Sequence, residues 1–149
     1  MKRRHFLFTL AALASTQGGP AAASNPQVHV FKSPTCGCCS AWARHMRSAG
    51  FAVTTTDVPD TAPERRRLGM PERFAACHTA SVEGYAIEGH VPAEQVRRLL
   101  ESRPAAIGLA VLGMPLGSPG MEVDGRADPY EVLLVDRRGQ ATTFAKYPK

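Results

Sequence analysis

Past residue 23, this 149-residue chain has no stretch apolar enough to span a bilayer. It also lacks a phosphate-cradling glycine loop, a hydrolase triad and a supported general acid or base, which removes the commonest nucleotide-binding and hydrolytic classes. Strong charge imbalance is missing as well. Eighteen Lys and Arg stand against 13 Asp and Glu, a formal +5. Lys2, Arg3 and Arg4 belong to a leader-like segment, and without them 15 basic side chains face 13 acidic ones. The resulting +2 makes no case for nucleic acid or a membrane surface as partner. There is no internal repeat, and the length suits one domain. The usual structural zinc pattern needs two CxxC knuckles, and the chain holds one.

What is present is concentrated in Thr35-Cys36-Gly37-Cys38-Cys39-Ser40, which carries three of the four cysteines. It follows a short apolar run and precedes a helical pattern. The start of a helix favours thiolate over thiol, so these sulfurs are poised for metal binding or disulfide exchange. Cys36 and Cys39 form the CxxC pair, while Cys38 adds a CxC and an adjacent Cys-Cys. Neighbouring thiols are awkward chelators of one tetrahedral ion, so a bridged multi-metal thiolate site fits this spacing better than a single zinc.

The opening residues read as an export signal over 1–23. Met1 to His5 is basic, Phe6 to Ala14 is apolar, and Ala21-Ala22-Ala23 offers a small-residue cleavage site. Arg3-Arg4-His5-Phe6-Leu7 resembles the core of a twin-arginine signal, with Lys2 where Ser or Thr is usual, so that route and general secretion both stand. The remaining 24–149 is expected to be one domain working outside the cytoplasm. There, four cysteines would ordinarily mean two structural disulfides. Structural disulfides close long loops, however, and three cysteines bunched in one turn do not.

Val28 to Phe31 predicts a short buried strand, and Cys38 to Ala49 a helix with Cys39, Trp42, Ala43 and Met46 on one face, stopped by Gly50. Phe51 to Val58 predicts a second strand, parallel to the first. A short helix is expected from Pro63 to Leu68 and a helical turn within Pro71 to Ala76. A hairpin is expected around Glu83-Gly84, and a helix from Pro92 to Ser102. Pro104 to Pro129 carries so many Gly and Pro residues that it predicts one long ordered loop, a feature usually tied to function. Tyr130 to Val135 and Ala141 to Tyr147 predict a closing hairpin.

Val28 to Asp57 resembles the opening of the thioredoxin and glutaredoxin superfamily: strand, turn with Pro34, CxxC at a helix start, second strand. More specifically, four segments resemble a family of small exported bacterial proteins, a metal-binding domain linked, as the CopG type, to copper resistance. They are Lys32-Ser33-Pro34-Thr35-Cys36-Gly37-Cys38-Cys39, Cys77-His78-Thr79-Ala80, Tyr85 to Pro92, and Gly113 to Glu122. The resemblance implies a thioredoxin-like α/β fold, a central sheet flanked by helices with a long Gly/Pro-rich loop and a C-terminal hairpin. It further implies a periplasmic location, and copper held through the cysteines.

Laid on that superfamily, Cys77 and His78 fall where the cis-proline loop covers the active-site disulfide. No proline occurs between Pro71 and Pro92, so that loop is free to add a fourth thiolate. Cu(I) is soft, accepts low coordination and tolerates bridging sulfur. The expected metal set is therefore Cys36, Cys38, Cys39 and Cys77, with His78 as a further ligand and Met114 and Met121 from the long loop. The implied cargo is Cu(I) in a polynuclear site, with cycling to Cu(II) as an added capacity and other periplasmic copper-resistance proteins as partners.

Each assignment has an ordinary counterpart. His78 and His90 near turns suit hydrogen bonding, methionines fill gaps under loops, Trp42 suits core packing, and Arg65-Arg66-Arg67 suits a solvated helix face. The alternative function is a thiol-disulfide oxidoreductase with Cys36 as nucleophile and Cys39 as resolving thiol. It requires neither Cys38 nor Cys77.

Overall fold

Val28 and Val30 are fully buried with His29 half-buried between them, the period of two that a strand imposes. They lie in β1 (Gln27–Lys32) of a computed structural model that describes residues 25–148. The export signal expected over 1–23 lies outside the described residues. Cys39, Trp42, Ala43 and Met46 form the buried stripe of α1 (Gly37–Ser48), and Gly50, at φ 87°, turns the chain out of the helix. β2 (Ala52–Asp57) then runs parallel to β1, with Gln27 opposite Ala52 and Lys32 opposite Asp57. This is the predicted βαβ unit, with the cysteines at the C-terminal end of β1, where open α/β sheets place their sites.

The chain continues through α2 (Ala62–Arg67) and a 3-10 turn (Glu72–Phe74) to β3 (His78–Val82), antiparallel to β1. Glu83 and Gly84 both take positive φ, 45° and 88°, the geometry of a tight hairpin turn, and lead into β4 (Tyr85–Glu88). α3 (Ala93–Ser102) buries Val96, Leu99 and Leu100 and crosses to β5 (Ala106–Ala110), which pairs parallel with β4. β6 (Tyr130–Asp136) and β7 (Ala141–Tyr147) complete a seven-stranded mixed sheet in the order β2-β1-β3-β4-β5-β6-β7.

β5 corrects the expectation of one loop from Pro104 to Pro129. Its sequence is short, follows a proline and contains Gly108, so it reads as punctuation. The structure explains the glycine: a Cβ at Gly108 would lie 1.7 Å from the Ala86 carbonyl oxygen on β4. The residue that hides the strand in the sequence is the one that lets its backbone approach its neighbour. The irregular connection between β5 and β6 is therefore 111–129.

Both faces of the sheet are covered. Trp42, Met46, Val96 and Leu99 pack with Val28, Val30, Ile87 and Leu109 on one side. Met70 and Phe74 pack with Ala86, Ala110 and Val135 on the other. Ile87 and Ala86 thus point oppositely, as do Leu109 and Ala110, in keeping with strand alternation.

An ion pair is buried in this packing. Arg65 Nη1 donates to Glu88 Oε1 at 3.2 Å, with the two side chains 4% and 0% exposed. Arg65, expected on a solvated helix face, is pulled inward by this carboxylate. Arg65 Nη2 also donates to the exposed Glu72 at 3.1 Å, so removing Glu88 leaves Arg65 with a surface partner only, and breaking a buried pair typically costs about 3–5 kcal/mol. Glu88→Ala should lower unfolding stability by that order in urea titration, and a change below about 1 kcal/mol would show that the pair is not buried as described.

Candidate metal centre

Three separate chain segments meet at the N-terminal end of α1. The turn after β1 delivers Cys36 as the residue capping α1: the Cys39 backbone N–H donates to Cys36 Sγ at 3.3 Å, and Ser40 N–H donates to the Cys36 carbonyl at 3.2 Å. No acidic residue occupies the first helical turn, so the free N–H groups there favour anionic sulfur. Cys38 and Cys39 follow within the helix. The second segment is the start of β3. Antiparallel pairing sets His78 opposite Lys32, which places the preceding Cys77 beside the helix end. The third is the β4–α3 connection, which carries His90.

The four sulfurs lie within 4.8 Å of one another. Cys36 and Cys39 form a disulfide with their Cα atoms 5.3 Å apart, and Cys38 and Cys77 are free thiols. Cys38 Sγ lies 3.5 Å from Cys36 Sγ and 3.9 Å from Cys77 Sγ. Cys77 Sγ also belongs to a second group with His78 and His90, again within 4.8 Å. The expected cysteine set is therefore assembled in space, with Cys38 between Cys36 and Cys77, and Cys77 shared with the imidazole group.

His90 is the residue that sequence reasoning weighed too lightly. It is fully buried, and its Nδ1 faces the Pro119 carbonyl at 2.8 Å. A carbonyl only accepts, so Nδ1 carries the proton and Nε2 presents its lone pair. Nε2 lies 3.2 Å from Cys77 Sγ. A histidine whose far nitrogen is tied to a carbonyl has its tautomer and ring orientation fixed as metal-binding histidines usually do. In the sequence, Gly89-His90-Val91-Pro92 left His90 open as a copper ligand beside His78, with hydrogen bonding near a turn as the ordinary alternative.

His78 Nδ1 is 3.5 Å from Cys77 Sγ, and its ring is held against Trp42 and edge-on to His90. His78 Nε2 is buried and has no hydrogen-bond partner among the described residues. Burial, reinforced by His90, pushes the His78 pKa down to about 3, and burial lowers that of His90 as well. Both imidazoles are thus neutral at neutral pH and able to donate lone pairs. Burial first, then Cys38, pushes the Cys77 thiol up to about 12.

Glu88 fixes the Cys77 segment from behind. The Ala76 N–H donates to its Oε1 at 2.8 Å, and the Thr79 hydroxyl donates to Oε2 at 2.7 Å. One buried carboxylate therefore grips the backbone on one side of Cys77-His78 and a side chain on the other. Sequence reasoning missed it, because a lone Glu in a strand reads as solvent-facing.

The connection 111–129 does return to this end of the molecule. Pro119 holds His90, and Gly120, at φ 88°, passes so close to α1 that a Cβ would lie 2.7 Å from the Cys38 carbonyl oxygen and 2.8 Å from Trp42 N. Met121 follows directly and is half-buried, whereas Met114 is 54% exposed. Trp42 is core, as expected, with Nε1–H donating to the Val91 carbonyl at 2.8 Å.

A family model described as "Protein of unknown function, DUF411" matches residues 74–121, the span from before Cys77 to Met121. No curated protein matches the chain. Two solved structures do, both called copper resistance protein copG. Form 2 is 42% identical, covering 83% of this chain and 99% of its own, with a TM-score of 0.79. Form 1 is also 42% identical, covering 83% and 98%, with a TM-score of 0.78. At that identity over most of both chains, this protein belongs to the CopG family of copper-resistance proteins.

Proposed function

We propose that this protein is an exported, periplasmic copper-binding protein that holds Cu(I) in a polynuclear thiolate site on a thioredoxin-like scaffold. The observation that carries the reading is the convergence of Cys36, Cys38, Cys39 and Cys77 from two separate segments within 4.8 Å. Thiolates select soft Cu(I), and sulfurs this close can bridge neighbouring ions, whereas a closed zinc site wants four discrete ligands. Reducing the Cys36–Cys39 disulfide makes all four available. His90 Nε2 and a nitrogen of His78 would complete the ligand set on the Cys77 side. The scaffold assignment is supported by the parallel β1-α1-β2 unit followed by the β3-β4 hairpin and α3. Export is supported by the leader-like residues 1–23, and other periplasmic copper-resistance proteins are the natural exchange partners.

The second reading, a thiol-disulfide oxidoreductase, is favoured by one observation, the Cys36–Cys39 disulfide at a helix start. It leaves Cys38, Cys77 and His90 without a role. Cys77→Ser separates the two. It replaces a soft ligand shared by both donor groups with a poorly binding hydroxyl, so copper bound per chain should fall while any Cys36-dependent disulfide reduction persists. Full copper binding by the variant, alongside strong Cys36-dependent reductase activity in the wild type, would favour the oxidoreductase.

The high Cys77 pKa gives a sign for pH. Below about 12 this thiol keeps its proton, so metal binding must displace it, and affinity should rise about tenfold per pH unit for each proton displaced. Competition titration with a Cu(I) chelator across neutral to alkaline pH measures the slope. A flat profile above pH 7 would mean that only the neutral imidazoles bind.

Met114 and Met121 belong, in this reading, to the path by which copper reaches the site. Replacing both with Leu keeps bulk and removes the thioethers. Copper loading should slow, and an unchanged rate would assign both side chains to packing.

A further inference from the structure

A cavity of about 710 Å³ lies between α1, α3, the connection 111–129 and the open end of the β6-β7 hairpin, and none of the four cysteines lines it. Its volume falls in the range that holds a small organic molecule. Alanine and proline make up much of its wall. Two aromatic rings and two carboxylates stand out against this apolar lining. Tyr130 and Tyr147, the first residue of β6 and the last of β7, are stacked with their ring centroids 4.9 Å apart and their planes 9° from parallel. Glu94, in the first turn of α3, and Asp128, near the end of the connection, complete the set.

We propose that this cavity binds a small organic cation with a quaternary ammonium head, taken from free solution and seated on the tyrosine pair in the field of the two carboxylates. The face of a tyrosine ring carries negative charge density, and a desolvated cation over such a face gains the interaction that aromatic cages use for choline and methylated lysine. The carboxylates select against an anionic guest. They also select the kind of cation, because their own hydrogen bonds are already placed. Glu94 Oε1 accepts from Gln95 Nε2 at 2.9 Å and from the Tyr147 hydroxyl, and Asp128 Oδ2 accepts from the Leu116 N–H at 3.1 Å. They therefore act on a guest as charge more than as acceptors. A primary ammonium has three N–H groups to satisfy on leaving water, whereas a quaternary one has none and loses least among Ala, Pro and Tyr side chains.

The neighbouring charges support a cationic guest. His45 lines the cavity and accepts at Nε2 from the Ala93 N–H at 3.1 Å. Burial lowers its pKa against the opposing pull of Glu122, so the ring is neutral at neutral pH and sets no positive charge in the cavity. The Tyr130 hydroxyl is pushed up to about 12 by burial first, then by Glu94 and Glu122, which marks a negative field at that ring. Arg97 is the opposing charge, and it is engaged with α1 and the turn that follows it: its guanidinium lies 4.7 Å from the Phe51 ring centroid and donates to the Ala49 carbonyl.

The inference needs no metal and stands apart from the copper reading. Choline is titrated into the copper-free full chain at constant ionic strength while NMR follows the Tyr130 and Tyr147 ring signals. Two compounds of the same skeleton are run beside it: the neutral alcohol in which carbon replaces the ammonium nitrogen, and ethanolamine, which carries a primary ammonium. Saturable shifts are expected with choline, and binding at least about tenfold weaker with the other two. Tyr130→Leu removes the ring and should weaken choline binding several-fold, and Tyr130→Phe should restore it. Asp128→Asn, at an exposed position and still able to accept from Leu116, should weaken binding as well, and serves should Tyr130→Leu unfold. Co-sedimentation with phosphatidylcholine vesicles separates a lipid headgroup from a free solute. Absence of saturable shifts, equal binding of the neutral alcohol or of ethanolamine, undiminished choline binding by folded Tyr130→Leu or Asp128→Asn, or retention on vesicles without binding of free choline would each overturn the inference.

Discussion

One buried carboxylate holds the cysteine cluster in register with the sheet. Glu88 accepts from the Ala76 backbone and the Thr79 hydroxyl on either side of Cys77-His78, and is itself held by Arg65. Such a charge is costly to bury and is tolerated because every interaction around it is satisfied. Burial nonetheless pushes its pKa up, with Thr79, Ala76 and Arg65 pulling the other way. The grip explains how this segment holds its Cys77 close to the sulfurs of α1. The same residue ties α2 to the sheet, so the cysteine cluster and the second layer of the fold share an anchor.

Local patterning in the sequence was enough to locate most elements. The buried stripe of α1, the apolar alternation of Val28 to Val30 and the Glu83-Gly84 turn all carry their own periodicity or turn chemistry, and each lies where that chemistry placed it. β5 was not legible, because Gly108 is there for backbone contact with Ala86 and not for the pattern of its own strand. The cysteine cluster was legible because its spacing is unusual in itself. His90 and Glu88 were not, since their significance comes from what faces them across the fold: Pro119 and Cys77 for the one, Ala76, Thr79 and Arg65 for the other.

The chemistry follows from placing soft and borderline donors in one buried corner. Cys77 is shared by a sulfur group and an imidazole group, which brings donors of both kinds together. The Pro119 carbonyl fixes the imidazole that faces Cys77, and Gly120 packs closely against the backbone of α1.

The most direct measurement is X-ray absorption at the copper edge on anaerobically Cu(I)-loaded, fully reduced protein. A polynuclear thiolate site predicts a first shell dominated by sulfur, a nitrogen contribution from imidazole, and resolved copper–copper scattering from bridged neighbours. A first shell of nitrogen and oxygen without sulfur, or sulfur ligation with no copper–copper scattering at full loading, would contradict it.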